Sequence, residues 1–142
     1  MEETFNLVSI GKIRLEKDNA FIDIAPKYQE ALLGLDKFSH IMVFYWFHQN
    51  DNAQDRSILQ LRPRANPRNP VCGVFATHSP RRPNLIALTT CRVLSVDGPT
   101  IAIDTIDAKG GSPVIDIKCY IPDAVEATGV NLPDWVKNRD PR

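Results

Sequence analysis

The sequence predicts a mainly β fold, a small antiparallel β-barrel with one short helix. Most of the chain divides into short segments in which apolar and polar residues alternate, turn signals separate these segments, and one stretch has apolar residues at helical spacing. Closing the strands into a barrel removes the exposed edges that an open sheet would leave. At 142 residues the chain has room for one domain with its own core.

The first third of the chain predicts a hairpin followed by the helix. Leu7–Leu15 and Ala20–Ile24 alternate roughly and are rich in β-branched residues, with a turn at 17–19 between them. Pro26–Phe38 has apolar residues near helical spacing, and Pro26 suits a first helical turn. Gly34 indicates that this helix is short.

A central strand is predicted at Ile41–Phe47, a continuous apolar and aromatic run. Seven residues are few for a helix, and the aromatic content favours a strand that is buried on both faces. The following segment, Asp51–Pro70, is polar and rich in arginine and proline. We expect it to leave the barrel, with at most a short strand at Ser57–Leu61.

The second half predicts the remaining strands, at Val71–Thr77, Leu85–Val96, Thr100–Asp107 and Val114–Ile121. Asp97-Gly98 and the segment 109–112 are turn signals between them. In the last strand the alternation places Ile115, Ile117, Cys119 and Ile121 on one face. We expect residues 1–125 to form the barrel domain and 126–142 to form a tail, which Trp135 docks on the barrel or on a second subunit.

Composition excludes several function classes. The formal net charge is zero and the pI is about 6.8, so binding of nucleic acid would need a local basic patch. No long uncharged apolar run predicts a membrane helix, and the acidic start MEETFNLVSI is unlike a signal peptide. No Rossmann, P-loop, HExxH or GxSxG motif is present.

The three cysteines, Cys72, Cys91 and Cys119, are widely spaced and form no CxxC pair. This pattern argues against a disulfide scaffold and against a zinc site. It predicts buried or half-buried free thiols in a reducing compartment, which we take to be the cytoplasm. The spacing of the histidines suggests no metal site.

Polar residues fall at two predicted strand ends. His48 follows the central strand, and its position is equally consistent with a structural role and with a site. Asp104 and Asp107 would point to opposite faces of a regular strand, so a shared site requires a bulge or a strand end between them.

The segment FATHSPRRPNLIAL predicts a stiff loop, because Pro80 and Pro83 fix φ and remove two backbone donors. The loop presents Arg81 and Arg82 either as a solvated basic surface or as a preorganised clamp for carboxylate or phosphate. Three further arginines would extend this cationic surface: Arg62, Arg64 and Arg68.

Three motifs occur in order between about Ile10 and Pro122: FSHIMVFYWFHQ, GVFATHSPRRPNLIAL and IDTIDAKGGSPVIDIKCYIP. Together they resemble the TsaA/TrmO-type (YaeB-like) family of S-adenosylmethionine-dependent methyltransferases. Members of that family show a strand ending in His-Gln, a loop reading ATRSPxRPNPIG and a closing segment DGTPVLDIKPY.

The resemblance implies a small β-barrel in place of a Rossmann sheet, S-adenosyl-L-methionine as the cofactor, and a homodimer with the cofactor near the subunit boundary. The implied partner is tRNA, in which N6 of threonylcarbamoyladenosine at position 37 receives the methyl group. By position, the implied cofactor contacts are His48, Gln49, His78, Leu88, Asp104, Thr105, Ile106 and Asp107. The expected substrate contacts are Arg81, Arg82, Asn84 and Tyr120, and no catalytic base is assigned.

The sequence also departs from the family. His78 stands where the family usually has arginine, and the family's Pro-Arg-Gln loop is missing, because Ile13–Leu15 passes almost directly into the second strand. Two other functions therefore remain open: a methyltransferase of the same fold that acts on a small molecule, and a non-catalytic protein that binds S-adenosylmethionine or RNA.

Overall fold

The structure, a computed structural model that describes residues 2–139, is built on a closed barrel of six antiparallel strands in the order β1-β2-β7-β6-β3-β8. The predicted mainly β barrel is confirmed. The eight strands are β1 Gly11–Glu16, β2 Asn19–Ile24, β3 His40–Trp46, β4 Gln60–Leu61, β5 Cys72–Gly73, β6 Ile86–Asp97, β7 Thr100–Ile103 and β8 Pro113–Cys119. Strands β4 and β5 form a separate two-stranded ribbon.

Within residues 2–139, helical structure is limited to segments of three to seven residues. The α-helical turns are α1 Ala53–Arg56, α2 Pro122–Val125 and α3 Asp134–Lys137. The 3₁₀ turns are Pro26–Leu32, Leu35–Lys37, His48–Asn50, Pro63–Ala65 and Val74–Ala76. The helix predicted at Pro26–Phe38 thus forms as two 3₁₀ turns, because Gly34 between them adopts φ +87°, which a continuous helix does not allow.

The barrel interior is filled by branched aliphatic side chains that alternate with outward residues along each strand. Ile22 of β2 lies between Ile13 of β1 and Ile101 of β7, and all three side chains are 1% exposed or less. This alternation with period two is what the sequence pattern predicted.

Strand β3 is buried on one face only, so the prediction of burial on both faces is wrong. Its inward side chains, Ile41, Val43 and Tyr45, are at most 4% exposed. Its outward side chains, Met42, Phe44 and Trp46, are half-buried. They face outward because successive side chains of a strand point to opposite faces of the sheet.

Three strand boundaries differ from the sequence prediction by four residues. The first strand begins at Gly11, and residues 2–10 precede it without regular structure. The strand predicted at Val71–Thr77 is reduced to Cys72–Gly73, after which the chain turns at Val74–Ala76. The strand predicted at Thr100–Asp107 ends at Ile103.

A β-bulge in β8 changes which of its side chains face the barrel interior from those that strict alternation predicts. Tyr45 pairs with Val114 and Phe44 pairs with Asp116, so Ile115 is the extra residue on the β8 side. Val114 is therefore fully buried, whereas Ile115, predicted to lead the apolar face, is half-buried.

The C-terminal part carries α2 and α3, and Trp135 of α3 is half-buried. The division into a barrel at 1–125 and a tail at 126–142 stays a prediction, and residues 140–142 of that tail lie outside the described residues.

Replacing Gly11 by alanine is expected to destabilise the barrel, because a Cβ at this position would overlap the backbone carbonyl oxygen of Asp23 across the β1–β2 pair. Overpacking of this kind costs about 1–3 kcal/mol, which urea unfolding would measure. Gly110→Ala is the control, since its Cβ would meet open space and its effect should stay within about 0.5 kcal/mol. Equal stability of the two variants would contradict the steric argument.

Candidate functional site

One end of the barrel collects three loops. Strand β3 ends there at Trp46, and both of its antiparallel neighbours begin there, β6 at Ile86 and β8 at Pro113. The loops that precede β6 and β8 and the turn that follows β3 must therefore meet. These are the segments 77–85, 104–112 and 47–50, which carry the predicted site motifs.

A cavity of about 140 Å³ opens between the three loops. Its lining residues are Tyr45, Phe47, His48, Gln49, Asn50, Pro80, Asp107, Ala108, Lys109 and Ser112. Each of the three motifs contributes to it: His48 and Gln49 from the first, Pro80 from the second and Asp107 from the third. The volume is smaller than the roughly 300–1,000 Å³ of sites that bury a whole drug-sized ligand, so the described residues form part of a site for a molecule of that size.

Tyr45 forms the floor of the cavity. Its hydroxyl donates to the backbone carbonyl of Asp107 at 2.6 Å and lies 3.1 Å from the Thr89 hydroxyl. Burial raises the pKa of Tyr45, which keeps the phenol protonated as a donor. Phe47 packs edge-on against the Tyr45 ring, with centroids 6.1 Å apart. The floor therefore fixes the main chain at Asp107 relative to the end of β3.

A tight turn at residues 109–112 forms part of the cavity wall. The backbone amide and hydroxyl of Ser112 both donate to the carbonyl of Lys109, at 3.1 and 2.6 Å. Gly111 adopts φ +83°, which favours glycine, and its amide donates to the carbonyl of Ile13 in β1. The turn is thus anchored to the barrel and holds Lys109 at the cavity edge.

The arginine–proline loop is held against the turn after β3 by Asp55. The amides of Asn50 and Asn52 donate to its carboxylate at 3.0 and 3.2 Å, and Arg81 approaches it at 3.5 Å. These hydrogen bonds first, and then the Arg81 charge, hold the pKa of Asp55 below its usual value. The carboxylate is therefore ionised at neutral pH and binds the two loops together.

A second brace runs through Arg56. Its guanidinium donates to the Pro83 carbonyl at 2.9 Å and to Asp51 at 3.2 Å, and it lies over the Trp46 ring. The Trp46 indole donates to the same Asp51 carboxylate, a bond that lowers the pKa of Asp51. The two prolines and these contacts give the loop its fixed position.

The two arginines predicted to bind substrate differ in the structure. Arg82 donates to the carbonyls of Thr77 and Ser79 at 3.0 and 3.1 Å, so it stabilises its own loop. Arg81 is 60% exposed and forms an ion pair with Asp55. Asn84 is exposed at the start of β6, where its carbonyl accepts the Ile86 amide.

Several predicted cofactor residues do not line the cavity. His78 is exposed in the loop, and Leu88 is 55% exposed on the outer face of β6. The carboxylate of Asp104 accepts the backbone amides of Arg92 and Thr105, which closes the end of β7. Ile106 packs against the core. Strand β7 ends at Ile103, before both aspartates, so Asp104 and Asp107 lie in the following loop, and of the two only Asp107 lines the cavity.

Tyr120 lies at the other end of the barrel. Strand β8 runs antiparallel to β3, so its last residues lie beside His40 at the start of β3, about 20 Å from the cavity by strand length. The Tyr120 hydroxyl donates to Glu126 at 3.4 Å. The Nδ1 atom of His40 lies 2.7 Å from the hydroxyl of Ser39.

The cysteines are free thiols, as predicted, with Cys91 buried and the other two half-buried. Burial raises the pKa of the Cys91 thiol to about 12, which makes it inert at neutral pH. Over residues 2–139, no group of His, Cys, Asp and Glu side chains is arranged to hold a metal ion. Within the same part of the chain, no helix has the length and apolar character needed to cross a bilayer.

Sequence reasoning missed the contacts that hold the walls of the cavity in place. Tyr45 lies within the apolar run predicted as the central strand, a pattern that assigns no role to its hydroxyl, and Asp55 and Arg56 stand in a polar segment without a recognisable motif. The one usable signal was Asn52 three residues before Asp55, the spacing of a helix N-cap, which the Asn52 side chain indeed forms.

Replacing Tyr45 by phenylalanine is expected to loosen the 104–112 loop, because the Asp107 carbonyl loses this donor. Stability should fall by about 1–2 kcal/mol, and amide hydrogen exchange should accelerate in 104–112. Tyr28→Phe, at a half-buried tyrosine of the first 3₁₀ turn, is the control. Unchanged exchange in 104–112 would show that the hydroxyl does not position the loop.

Comparison with known proteins identifies relatives of this chain. A relative in Pyrococcus horikoshii, named a probable S-adenosyl-L-methionine-binding protein, is 46% identical over 118 residues, which is 83% of this chain and 84% of that protein. The human tRNA (adenine(37)-N6)-methyltransferase is 41% identical over 93 residues, 66% of this chain and 20% of that protein.

The crystal structure of TrmO from Pseudomonas aeruginosa superposes with a TM-score of 0.71 and 26% identity, covering 92% of this chain and 61% of that chain. This chain therefore spans less than two thirds of that structure. The model of the tRNA-methyltransferase O N-terminal domain matches residues 11–125. The resemblance seen in the three motifs is thereby confirmed, and the chain belongs to the family of the tRNA-methyltransferase O N-terminal domain.

Proposed function

We propose that this protein is an S-adenosyl-L-methionine-dependent methyltransferase that modifies N6 of the adenosine at position 37 of tRNA, with threonylcarbamoyladenosine as the acceptor. The observation that carries the proposal is the cavity in which His48 and Gln49, the Pro80 loop and Asp107 meet. The names of the relatives support both the cofactor and the kind of substrate.

The cavity residues fit a sulfonium donor. S-adenosyl-L-methionine supplies a methyl group activated by positively charged sulfur. The carboxylate of Asp107 and the faces of Tyr45 and Phe47 favour a cation, and the amide of Gln49 can donate to a carboxylate or a ring nitrogen. His48 and Lys109 at the edge offer donors to the anionic end of such a molecule.

Methyl transfer depends mainly on the alignment of the reacting atoms. The N6 lone pair attacks the methyl carbon while the carbon–sulfur bond breaks and its electron pair stays on sulfur, so nucleophile, methyl and sulfur must be in line. Holding that geometry supplies much of the rate enhancement. The nitrogen loses its proton to water after the attack, which is why no side chain is assigned as the base. The braces through Asp55 and Arg56 contribute by keeping the cavity walls fixed.

A homodimer forms part of the proposal. The cavity is too small for the whole donor, and beside it the outer face of the barrel carries apolar side chains: Phe44, Trp46, Ile86 and Leu88. A second copy seated there would cover this face and complete the wall of the cavity, and it would account for an exposed leucine at position 88. Sedimentation equilibrium should give twice the mass of the chain; a monomer at micromolar concentration contradicts the dimer.

The experiment that tests the function has two parts. Calorimetric titration with S-adenosyl-L-methionine and its demethylated product measures cofactor binding. Transfer of labelled methyl to tRNA from a strain that lacks this protein, followed by nucleoside analysis, identifies the acceptor. No binding of the donor at millimolar concentration would overturn the proposal, and label in an adenosine other than that at position 37 would overturn the assigned substrate.

One observation favours a small-molecule acceptor as the second candidate. Strands β1 and β2 are joined by a two-residue turn at Lys17-Asp18, so the Pro-Arg-Gln loop of the family has no counterpart there. Donor binding without any transfer of label to tRNA would select this alternative. The predicted cytoplasmic location stays a prediction.

A further inference from the structure

One long segment of the chain carries basic residues and no acidic ones. Between residues 56 and 96 the sequence has seven arginines and neither aspartate nor glutamate, although the net charge of the whole chain is zero. Guanidinium groups suit phosphate recognition because they present a planar fork of donors. This charge pattern is typical of a local surface for an anionic polymer within a neutral protein.

Three of these arginines lie on the connection between β4 and β5, residues 62–71, which we call the ribbon tip. Arg62, Arg64 and Arg68 are all exposed. The ribbon is not part of the hydrogen-bonded barrel sheet, and the exposed arginines at its tip present positive charge to solvent.

The ribbon tip is built to keep a fixed shape. The Arg62 guanidinium donates to the Asn69 carbonyl at 2.6 Å, and the Asn69 amide donates to the carbonyl of Pro63, whose ring is buried. Arg64 and Ala65 adopt φ +58° and +53°, a left-handed conformation that costs roughly 1–2 kcal/mol for each residue. Rigid presentation of cations reduces the entropy lost when an anionic partner binds.

An exposed aromatic side chain adjoins the ribbon. Phe75 is 83% exposed immediately after β5, and the neighbouring Leu59 is 63% exposed. The two positions are held together by the hydrogen bond from the Val74 amide to the Leu59 carbonyl. Aromatic faces beside cationic groups are the usual elements of binding to unpaired nucleic-acid bases.

The ribbon leads directly into the site. The Thr77 amide and hydroxyl both donate to the Val74 carbonyl, which joins the 3₁₀ turn carrying Phe75 to the arginine–proline loop at the cavity. We propose that the ribbon tip and Phe75 form an RNA-docking surface, on which the arginines bind the phosphates flanking the target nucleotide and Phe75 stacks on an unpaired base. This inference rests on the proposed function and assigns the residues through which that function reaches its RNA.

The test is direct binding of an anticodon stem-loop, measured by fluorescence anisotropy over a range of salt concentrations. The triple variant Arg62→Gln, Arg64→Gln, Arg68→Gln should bind at least tenfold more weakly at 0.15 M salt. The slope of log affinity against log salt should fall by about two to three, since each lost phosphate contact contributes about 0.7–0.9. Phe75→Ala should weaken binding about tenfold and leave the slope unchanged.

Two controls separate docking from folding and from total charge. Arg68→Gln alone leaves the Arg62–Asn69 contact intact and should still lower the slope by about one. Lys12→Gln, Lys37→Gln, Lys137→Gln removes the same charge from exposed positions outside the arginine segment and should retain wild-type affinity. Binding of S-adenosyl-L-methionine should be the same in all variants.

The outcomes distinguish this inference from the proposed function. If the wild-type protein transfers methyl groups to tRNA and the triple variant binds RNA as tightly as the wild type, only the ribbon surface is overturned. If the lysine control loses as much affinity as the arginine variant, the ribbon surface is also overturned, because total charge and not its position would then explain the binding. Wild-type protein that binds the donor but no RNA overturns both the surface and the tRNA substrate.

Discussion

The double substitution His48→Ala, Gln49→Ala is expected to weaken the binding of S-adenosyl-L-methionine by about 10- to 100-fold, the effect of losing a hydrogen bond to a charged group with its desolvated partner left behind. Both residues lie in the 3₁₀ turn at the end of β3 and line the cavity. Neither side chain belongs to the barrel core, so the thermal unfolding midpoint should change by no more than a few degrees. Calorimetric titration measures the affinity directly.

His40→Ala is the matched control for this substitution. His40 is a histidine like His48, but it lies at the start of β3, beside Tyr120 and at the opposite end of the barrel from the cavity. Its removal should leave the affinity for the donor unchanged. If the double variant binds as tightly as the wild type, or if His40→Ala is equally impaired, the cavity at the end of β3 is not where the donor binds.

Replacing Ile22 by alanine is expected to destabilise the protein by about 2–5 kcal/mol, which combines the lost transfer free energy with the cavity left behind. Ile22 has no exposed surface and packs between Ile13 and Ile101 in a closed barrel, where neighbouring strands are hydrogen-bonded on both sides and cannot collapse into the space. The free energy of unfolding in urea measures the effect.

Leu94→Ala is the control for the core substitution, because Leu94 also lies on a strand but is 60% exposed. Its effect should stay within about 0.5 kcal/mol. A change of less than about 1 kcal/mol in Ile22→Ala would mean that the barrel interior is less tightly packed than its burial indicates.

Local sequence determined the strands that alternate and are bounded by turns. Thr100–Ile103 and the paired part of β6 follow from the apolar alternation on either side of Asp97-Gly98, and that turn joins them in the structure. The single helix predicted at Pro26–Phe38 does not form. Apolar spacing does not show whether the backbone can continue through Gly34, which adopts φ +87°.

The site was predictable as three segments but not as a cavity. His48, Gln49 and Asp107 could be chosen because motifs mark them, and closure of the barrel brings their segments to one end. Leu88 and Tyr120 were chosen in the same way, yet strand direction places Leu88 on the outer face and Tyr120 at the far end. A motif indicates that a residue is important in a family without indicating where its side chain points.

The sequence by itself determined the barrel strands, the turn residues and the family, because period-two alternation, glycine turns and motifs are local properties of the chain. Only the tertiary structure decided that Tyr45 holds Asp107, that Asp55 and Arg56 fix the arginine–proline loop, and that Arg82 serves its own loop. These contacts join residues up to 62 positions apart, and their geometry depends on strand order, register and the bulge at Ile115. Pairing between distant segments depends on all strands at once, so no single stretch of sequence contains it.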